Sequence, residues 1–280
     1  MNNNYSPLRY PGGKGRLIDL IKDVVNLNEL NGGVYIEPYA GGAALALSLV
    51  MDGYMDHVVI NDYDRSIFAF WQCVIHHTDE LVDKILSTPI TTEEWIKQRN
   101  IQRSKETISI IDLGFSTFFL NRTNRSGILK AGVIGGIAQN GTYKINARFN
   151  KETLVNRIQK VASYKNKITI SNFDAIELIS RYRNVSHKNL FFLDPPYYVK
   201  GRDLYVSYYR DGDHTALAQV IQRRHNFNWI MTYDEHPKIL DLYDNCKITK
   251  YQLAYSAGKS RQGSELLISS RGLQMPNNGL

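Results

Sequence analysis

Leu190-Phe191-Phe192-Leu193-Asp194-Pro195-Pro196-Tyr197-Tyr198 is the stretch on which the reading of the fold turns. Its first four residues form a short apolar strand, the kind buried on both faces of a parallel sheet. An acid follows at the carboxyl end, the edge at which open α/β sheets bind ligands. The two prolines fix the backbone and cannot extend a helix. A carboxylate, a carbonyl and an aromatic ring are thus presented from one rigid corner. A proline-rich turn with an exposed acid is the plainer alternative, but four matching residues at a strand end favour a site.

Working outward, the same rhythm recurs on both sides. Val34-Tyr35-Ile36 is a strand leading through a glycine turn into an apolar helix from Ala43 to Met51. Val58-Val59-Ile60 is the next strand, ends at Asn61-Asp62, and precedes a helix from Arg65 to Ile75. Ile168-Thr169-Ile170, a helix near Ala175 to Tyr182, and Trp229-Ile230-Met231-Thr232 continue the pattern. Thr249 to Tyr255 and Glu265 to Ser269 read as two closing strands around a polar loop. Short apolar strands alternating with helices predict an α/β fold with a mostly parallel, Rossmann-like sheet covered on both faces.

The rhythm stops between residues 78 and 166. Glu80 to Leu86 and Thr92 to Gln102 read as helices, the second opened by a threonine cap. Ile110 to Leu120 is apolar, Gly127 to Gly141 is a glycine-containing loop, and Lys151 to Tyr164 is a basic amphipathic helix. The expected organisation is a catalytic body of residues 1–77 and 167–280 interrupted by a helical, basic insertion of residues 78–166.

Charge divides along the same line. The chain carries +7, yet Lys97 to Lys167 holds fourteen basic residues against three acids, an excess of eleven that leaves −4 elsewhere. One concentrated basic region on a near-neutral body is the signature of polyanion binding. A solvated helical face would show the same excess. Arg122, Arg125, Lys130, Tyr143, Lys144 and Arg148 are instead interleaved with Gly and Asn, which favours a contact loop for nucleic acid. No run approaches the ~20 apolar residues of a membrane span, and the polar N-terminus lacks a signal-peptide core. Cys73 and Cys246 fit no zinc spacing, and the seven histidines form no convincing ligand set, so no metal is expected. Two reduced thiols in a cytoplasmic protein are favoured over one disulfide.

Asp194 and the Pro195 carbonyl suit an exocyclic amine, whose two N–H groups need two acceptors. Tyr197 suits stacking on a base taken out of a duplex. Gly41 and Gly42, between strand and helix, permit close approach of a ligand to backbone. They do not form the Gly-x-Gly-x-x-Gly of a dinucleotide site, nor is Pro11-Gly12-Gly13-Lys14-Gly15-Arg16 a Walker loop. Asp62, 21 residues past Gly41, can accept from both hydroxyls of a ribose. Ribose recognition without a phosphate cradle fits S-adenosylmethionine. Glu37, ending the first strand, faces that cofactor's ammonium or serves as a structural cap.

With these blocks in place, the chain resembles the Dam-type, alpha-class N6-adenine DNA methyltransferases. The match rests on Leu8-Arg9-Tyr10-Pro11-Gly12-Gly13-Lys14, Glu37-Pro38-Tyr39-Ala40-Gly41-Gly42-Ala43, Asn61-Asp62, Leu120-Asn121-Arg122 and Asp194-Pro195-Pro196-Tyr197. It spans roughly Pro7 to Arg271. The resemblance implies methyl transfer from S-adenosylmethionine to adenine in double-stranded DNA, by a bacterial or phage-encoded enzyme. By the same resemblance Tyr10, Lys14, Asp62 and Asp194 contact the cofactor, Lys14 through its carboxylate, and Arg9 lies near DNA. Phe173 or Asp174 is placed at the cofactor adenine. Arg122, Arg125, Lys130, Lys144 and Arg148 are the candidate DNA contacts. Gly127 to Arg148 departs from the GATC-specific members, which leaves the recognition sequence open. The rival readings are methylation of cytosine, RNA or protein, and a DNA-binding module on an inactive methyltransferase fold.

Overall fold

The computed structural model describes residues 5–9, 14–199, 209–223, 227–254 and 262–276. A 3-10 turn at Lys14–Leu17 leads into α1 (Ile18–Leu27), followed by β1 (Val34–Glu37), α2 (Ala44–Met51), β2 (His57–Asn61) and α3 (Arg65–His76). Four helices then intervene: α4 (Thr78–Ser87), α5 (Thr92–Arg103), α6 (Ile110–Thr123) and α7 (Lys151–Ala162). The chain returns through β3 (Ile168–Ser171), α8 (Ala175–Tyr182), β4 (Asn189–Leu193), α9 (Asp211–Gln222), β5 (Asn228–Asp234) and α10 (Pro237–Leu242). The antiparallel strands β6 (Lys247–Ala254) and β7 (Gln262–Ser269) follow.

The strands lie in the order β3-β2-β1-β4-β5-β7-β6, parallel from β3 to β5, with β7 running antiparallel between β5 and β6. β1 and β4 are neighbours although a long crossover separates them in sequence, so the strand order reverses there. That crevice is where such sheets bind ligands.

Alternation along each strand builds two cores. Tyr35, Val58, Ile60, Leu190 and Phe192 face one layer with α1 to α7, whereas Ile36, Val59, Phe191, Leu193 and Met231 face α8 to α10. The inserted helices share the first core, since Trp95, Phe118, Phe119 and Ile158 are continuous with the sheet residues. α6 lies along α3, and Phe70 stacks on Phe118 with ring centroids 5.9 Å apart. Among the described residues no helix is long and apolar enough to cross a membrane. Both cysteines are free, Cys73 buried and Cys246 half-buried.

Several boundaries differ from the sequence expectation. α1, α9 and α10 were not anticipated; of these only α10, at six residues, is short. α7 ends at Ala162, and Lys165–Lys167 forms a 3-10 turn into β3. Ala43 does not open α2 as a helical residue; it is the cap, in left-handed conformation at φ 48°.

The α3–α6 seam depends on Gly114. A Cβ there would lie 2.5 Å from Cys73 Sγ and 2.7 Å from the Ala69 carbonyl oxygen. Gly114→Ala gains about 1 kcal/mol of helix propensity but overpacks the seam by about 1–3 kcal/mol. A net loss of stability is expected in urea unfolding; a raised midpoint would show that the two helices separate freely.

Candidate active site

β4 delivers Asp194 to the crevice, and the residues around it come from both ends of the chain. Lys14 Nζ lies 3.2 Å from Asp194 Oδ1 and 3.4 Å from Glu265 Oε2, and donates to the Tyr197 hydroxyl at 2.7 Å. Thr232 Oγ1 donates to the same Asp194 Oδ1 at 2.6 Å. Glu265 Oε2 also accepts from the Tyr251 hydroxyl at 2.7 Å, across the β6–β7 ladder where the two residues are in register. Both contacts converge on Asp194 Oδ1, and among the described residues none bonds to Oδ2. Burial raises the Asp194 carboxyl above its ordinary range, with Lys14 and Thr232 acting against that shift.

Lys14 Nζ thus donates to Tyr197 and Glu265 and forms an ion pair with Asp194. Tyr197 and Pro195 are buried, and the Tyr197 ring lies near Tyr233. Tyr10 lies outside the described residues.

Glu37 is buried at the end of β1. Its Oε1 accepts from the Tyr35 hydroxyl and from the Ala46 amide, each at 3.1 Å. The Ala46 amide belongs to the first turn of α2, where N–H groups have no helical partner. Glu37 Oε2 is buried with no partner among the described residues. Burial pushes the carboxyl up to about 8. An orphaned acid oxygen at the reversal point is a fitting partner for a cofactor's ammonium. Asp62 Oδ2 accepts from the Gly41 amide at 2.9 Å and Oδ1 from the Asp64 amide at 2.9 Å. Burial, with the neighbouring Asp64 charge, pushes Asp62 up to about 7. Gly41 at φ 47° takes the left-handed conformation freely, whereas Ala43 at φ 48° is strained there, as residues at ligand sites often are.

Asn61 ties the loops together. Its amide donates to the carbonyls of Pro38 at 2.9 Å and Phe173 at 3.0 Å, while its oxygen accepts from Ser171 Oγ and Phe173 N, each at 2.8 Å. Phe173 is half-buried with the Arg181 guanidinium over its ring, and Asp174 caps α8.

In the insertion, Arg125, Lys130, Lys144 and Arg148 are exposed on the loop between α6 and α7. Arg122 corrects the expectation of a DNA contact. It is buried, and its guanidinium donates through Nε and Nη2 to the Pro7 carbonyl. Burial, with Arg157 and Arg9 nearby, pushes it down to about 9. Asn121 beside it accepts from the Arg9 amide at 2.8 Å and donates to the Arg9 and Gly127 carbonyls at 2.7 and 2.9 Å. The Leu-Asn-Arg run is therefore a clamp joining the N-terminal segment to the basic loop. Arg9 is half-buried in that clamp, with Nη1 donating to the Asn124 carbonyl. Gln139 closes its own loop by donating to Ile134 and Gly136 and accepting from the Ile145 amide.

Glu265, Thr232 and Asp234 were missed in the sequence. Asp234 Oδ1 and Oδ2 accept the amides of Tyr198 and Val199 at 2.8 and 2.9 Å. One signal was available: an acid directly before the apolar run Leu266 to Ile268 of β7.

The Glu37 shift sets a pH dependence. Between its unfolded value near 4.5 and about 8 the folded protein keeps a proton that the unfolded chain releases. Stability from this group is therefore present below 4.5 and lost as pH rises to 8. Glu37→Gln should match the wild type near pH ~5 and exceed it by up to a few kcal/mol near pH ~9 in urea unfolding. A gap that does not change with pH would show the carboxylate to be solvated.

Residues 10–257 match the model of the D12 class N6 adenine-specific DNA methyltransferases. The chain is also 25% identical over 234 residues to the Type II methyltransferase M.MjaIII of Methanocaldococcus jannaschii, covering 77% of this chain and 78% of that protein. With nearly the whole sheet and the Asp194 corner inside the matched span, the chain belongs to the D12 class N6 adenine-specific DNA methyltransferase family.

Proposed function

We propose that Asp194 Oδ2 and the Pro195 carbonyl accept the two amino hydrogens of an adenine taken out of double-stranded DNA, while Tyr197 holds its ring. The observation that carries this assignment is the division of labour on Asp194. Oδ1 is held by Lys14 and Thr232, whereas no described residue bonds to Oδ2, which we assign to the incoming amine. When bound, S-adenosylmethionine supplies a methyl group on a sulfonium, already activated for transfer. The amino nitrogen's lone pair is delocalised into the ring, and two acceptors on its hydrogens favour the tetrahedral form that attacks. An amino nitrogen that gains a methyl group must shed a proton, and we assign its acceptance to Asp194 Oδ2; burial raises the affinity of this carboxyl for a proton. Positioning of this kind supplies much of the rate when the donor is already reactive.

Glu37 Oε2 is assigned to the cofactor's ammonium and Asp62 to its ribose. Arg125, Lys130, Lys144 and Arg148 are assigned to DNA phosphates, with residues 78–166 as the recognition part and residues 1–77 and 167–280 as the catalytic part.

The direct experiment is to sequence genomic DNA from cells expressing the protein. Methyladenine confined to one sequence context is expected; unmodified DNA with folded protein present would overturn the reading. Asp194→Ala should abolish methylation while DNA affinity stays within a few-fold, since one lost charged hydrogen bond alone costs about one to two orders of magnitude in rate. Near-normal turnover would remove Asp194 from the chemistry.

Arg148→Ala should make the log–log salt dependence of DNA affinity shallower by about one unit and leave the methylated sequence unchanged. Arg148 is exposed, with its guanidinium 5.9 Å from the Tyr143 ring centroid. An unchanged slope would place the phosphate contacts elsewhere.

A further inference from the structure

The Asp194 corner has an anchoring problem. Pro195 and Pro196 have no N–H, so neither can be tied down by a backbone donor. The first donors after Asp194 are the amides of Tyr197, Tyr198 and Val199. Asp234, 6% exposed at the end of β5, takes two of these three, one on each carboxylate oxygen. Thr232, two residues earlier on the same face of β5, holds the Asp194 side chain. The end of β5 therefore grips the corner at both ends, by side chain before the prolines and by main chain after them. Tyr198 is fixed further by stacking on His236 with centroids 4.1 Å apart and by donating its hydroxyl to Asp211 Oδ1 at 3.0 Å.

We propose that Asp234 is a positioning residue for methyl transfer: by holding the Tyr198 and Val199 amides, it sets the direction of the Pro195 carbonyl and the plane of the Tyr197 ring. This rests on the assignment of Pro195 and Tyr197 to the target base. An acid is suited to the task because two amides side by side need an acceptor pair, and a carboxylate offers both oxygens. An amide of the same size offers one oxygen and turns an N–H toward the other donor.

The test uses the full-length protein, unmethylated plasmid DNA and labelled S-adenosylmethionine, comparing Asp234→Asn with the wild type and Asp194→Ala. Asp234→Asn should lower kcat by about ten- to a hundredfold, the scale of one lost charged hydrogen bond. KM for S-adenosylmethionine should stay within about threefold, because no cofactor contact is assigned to the tethered segment. Asp234→Glu, which keeps both acceptors on a longer arm, should recover part of the lost kcat. A kcat within about twofold of the wild type in Asp234→Asn would overturn the inference, as would KM rising in step with the fall in kcat. If Asp234→Asn does not fold, Asp234→Glu decides. Lowered kcat at unchanged KM supports the role; wild-type kcat, or a second failure to fold, assigns Asp234 to the fold alone. An active Asp194→Ala would overturn the underlying site assignment, whereas an inactive Asp194→Ala beside a normal Asp234→Asn would overturn only the role of Asp234.

Discussion

One buried ammonium joins distant parts of this chain at the Asp194 corner. Lys14 comes from the N-terminal segment, Asp194 from the middle of the sheet and Glu265 from the last strand, and the three meet within 3.4 Å. Desolvating such charges costs several kcal/mol per ion, and mutual attraction repays it only where the remaining donors and acceptors are matched. Here they are matched by the hydroxyls of Tyr197, Thr232 and Tyr251. The set gives little net stability but strong selectivity of arrangement. A β7 strand slipped by one residue would turn Glu265 to the opposite face and leave Lys14 with one carboxylate. Antiparallel pairing of β7 between β5 and β6 is thus a condition of the site as well as of the sheet.

Asn61 does for the cofactor edge what Lys14 does for the reaction centre. One side chain binds the main chain after β1 and the segment after β3, from its own place at the end of β2. A neutral amide serves here because it can donate twice and accept twice, which neither a carboxyl group nor a lysine can do. The glycine turn beside it is then free to hold left-handed residues, because its position is set by neighbours and not by its own preferences. Polar networks of this kind are costly when incomplete, and the Asn61 side chain donates twice and accepts twice.

The sheet was legible because its signal is local. Runs such as Val58 to Ile60 and Leu190 to Leu193 are apolar on both faces, and a strand of that kind has few alternatives to the middle of a parallel sheet. The acid after the run, and the acid 21 residues past Gly41, were legible for the same reason: a strand's end fixes where its next residue lies. The partners of those acids were not. Thr232, Asp234 and Glu265 acquire meaning only once β5 and β7 are known to lie beside β4 and each other, and sequence spacing carries no trace of that. Arg122 shows the converse. Its basic neighbourhood suggested an outward cation, whereas its place on the last turn of α6 turns it inward to Pro7. Charge composition reports that a region is basic; it does not say which of its cations reach solvent.

The cofactor edge combines three carboxyls in one direction of shift. Glu37, Asp62 and Asp194 are all raised by burial, and Glu37 leaves one oxygen without a partner. A fold selected for stability alone would replace such acids with apolar residues or pair each with a cation. Instead Lys14 is shared on the Asp194 side, and Lys105, which pairs with Asp64, only partly offsets the shift of Asp62. The surplus of buried acid is a cost that binding of a cation can offset, since a positive group close by favours the ionised carboxylate. By linkage, whatever binds there and restores those charges stabilises the folded state by the same free energy it spends in binding. The basic loop works by the opposite rule, with its cations kept in solvent, where a polyanion can reach them without a desolvation cost paid in advance. Under the proposed assignments the two charge patterns answer two separate recognition problems, one for a small cation inside the sheet edge and one for a long anion outside it.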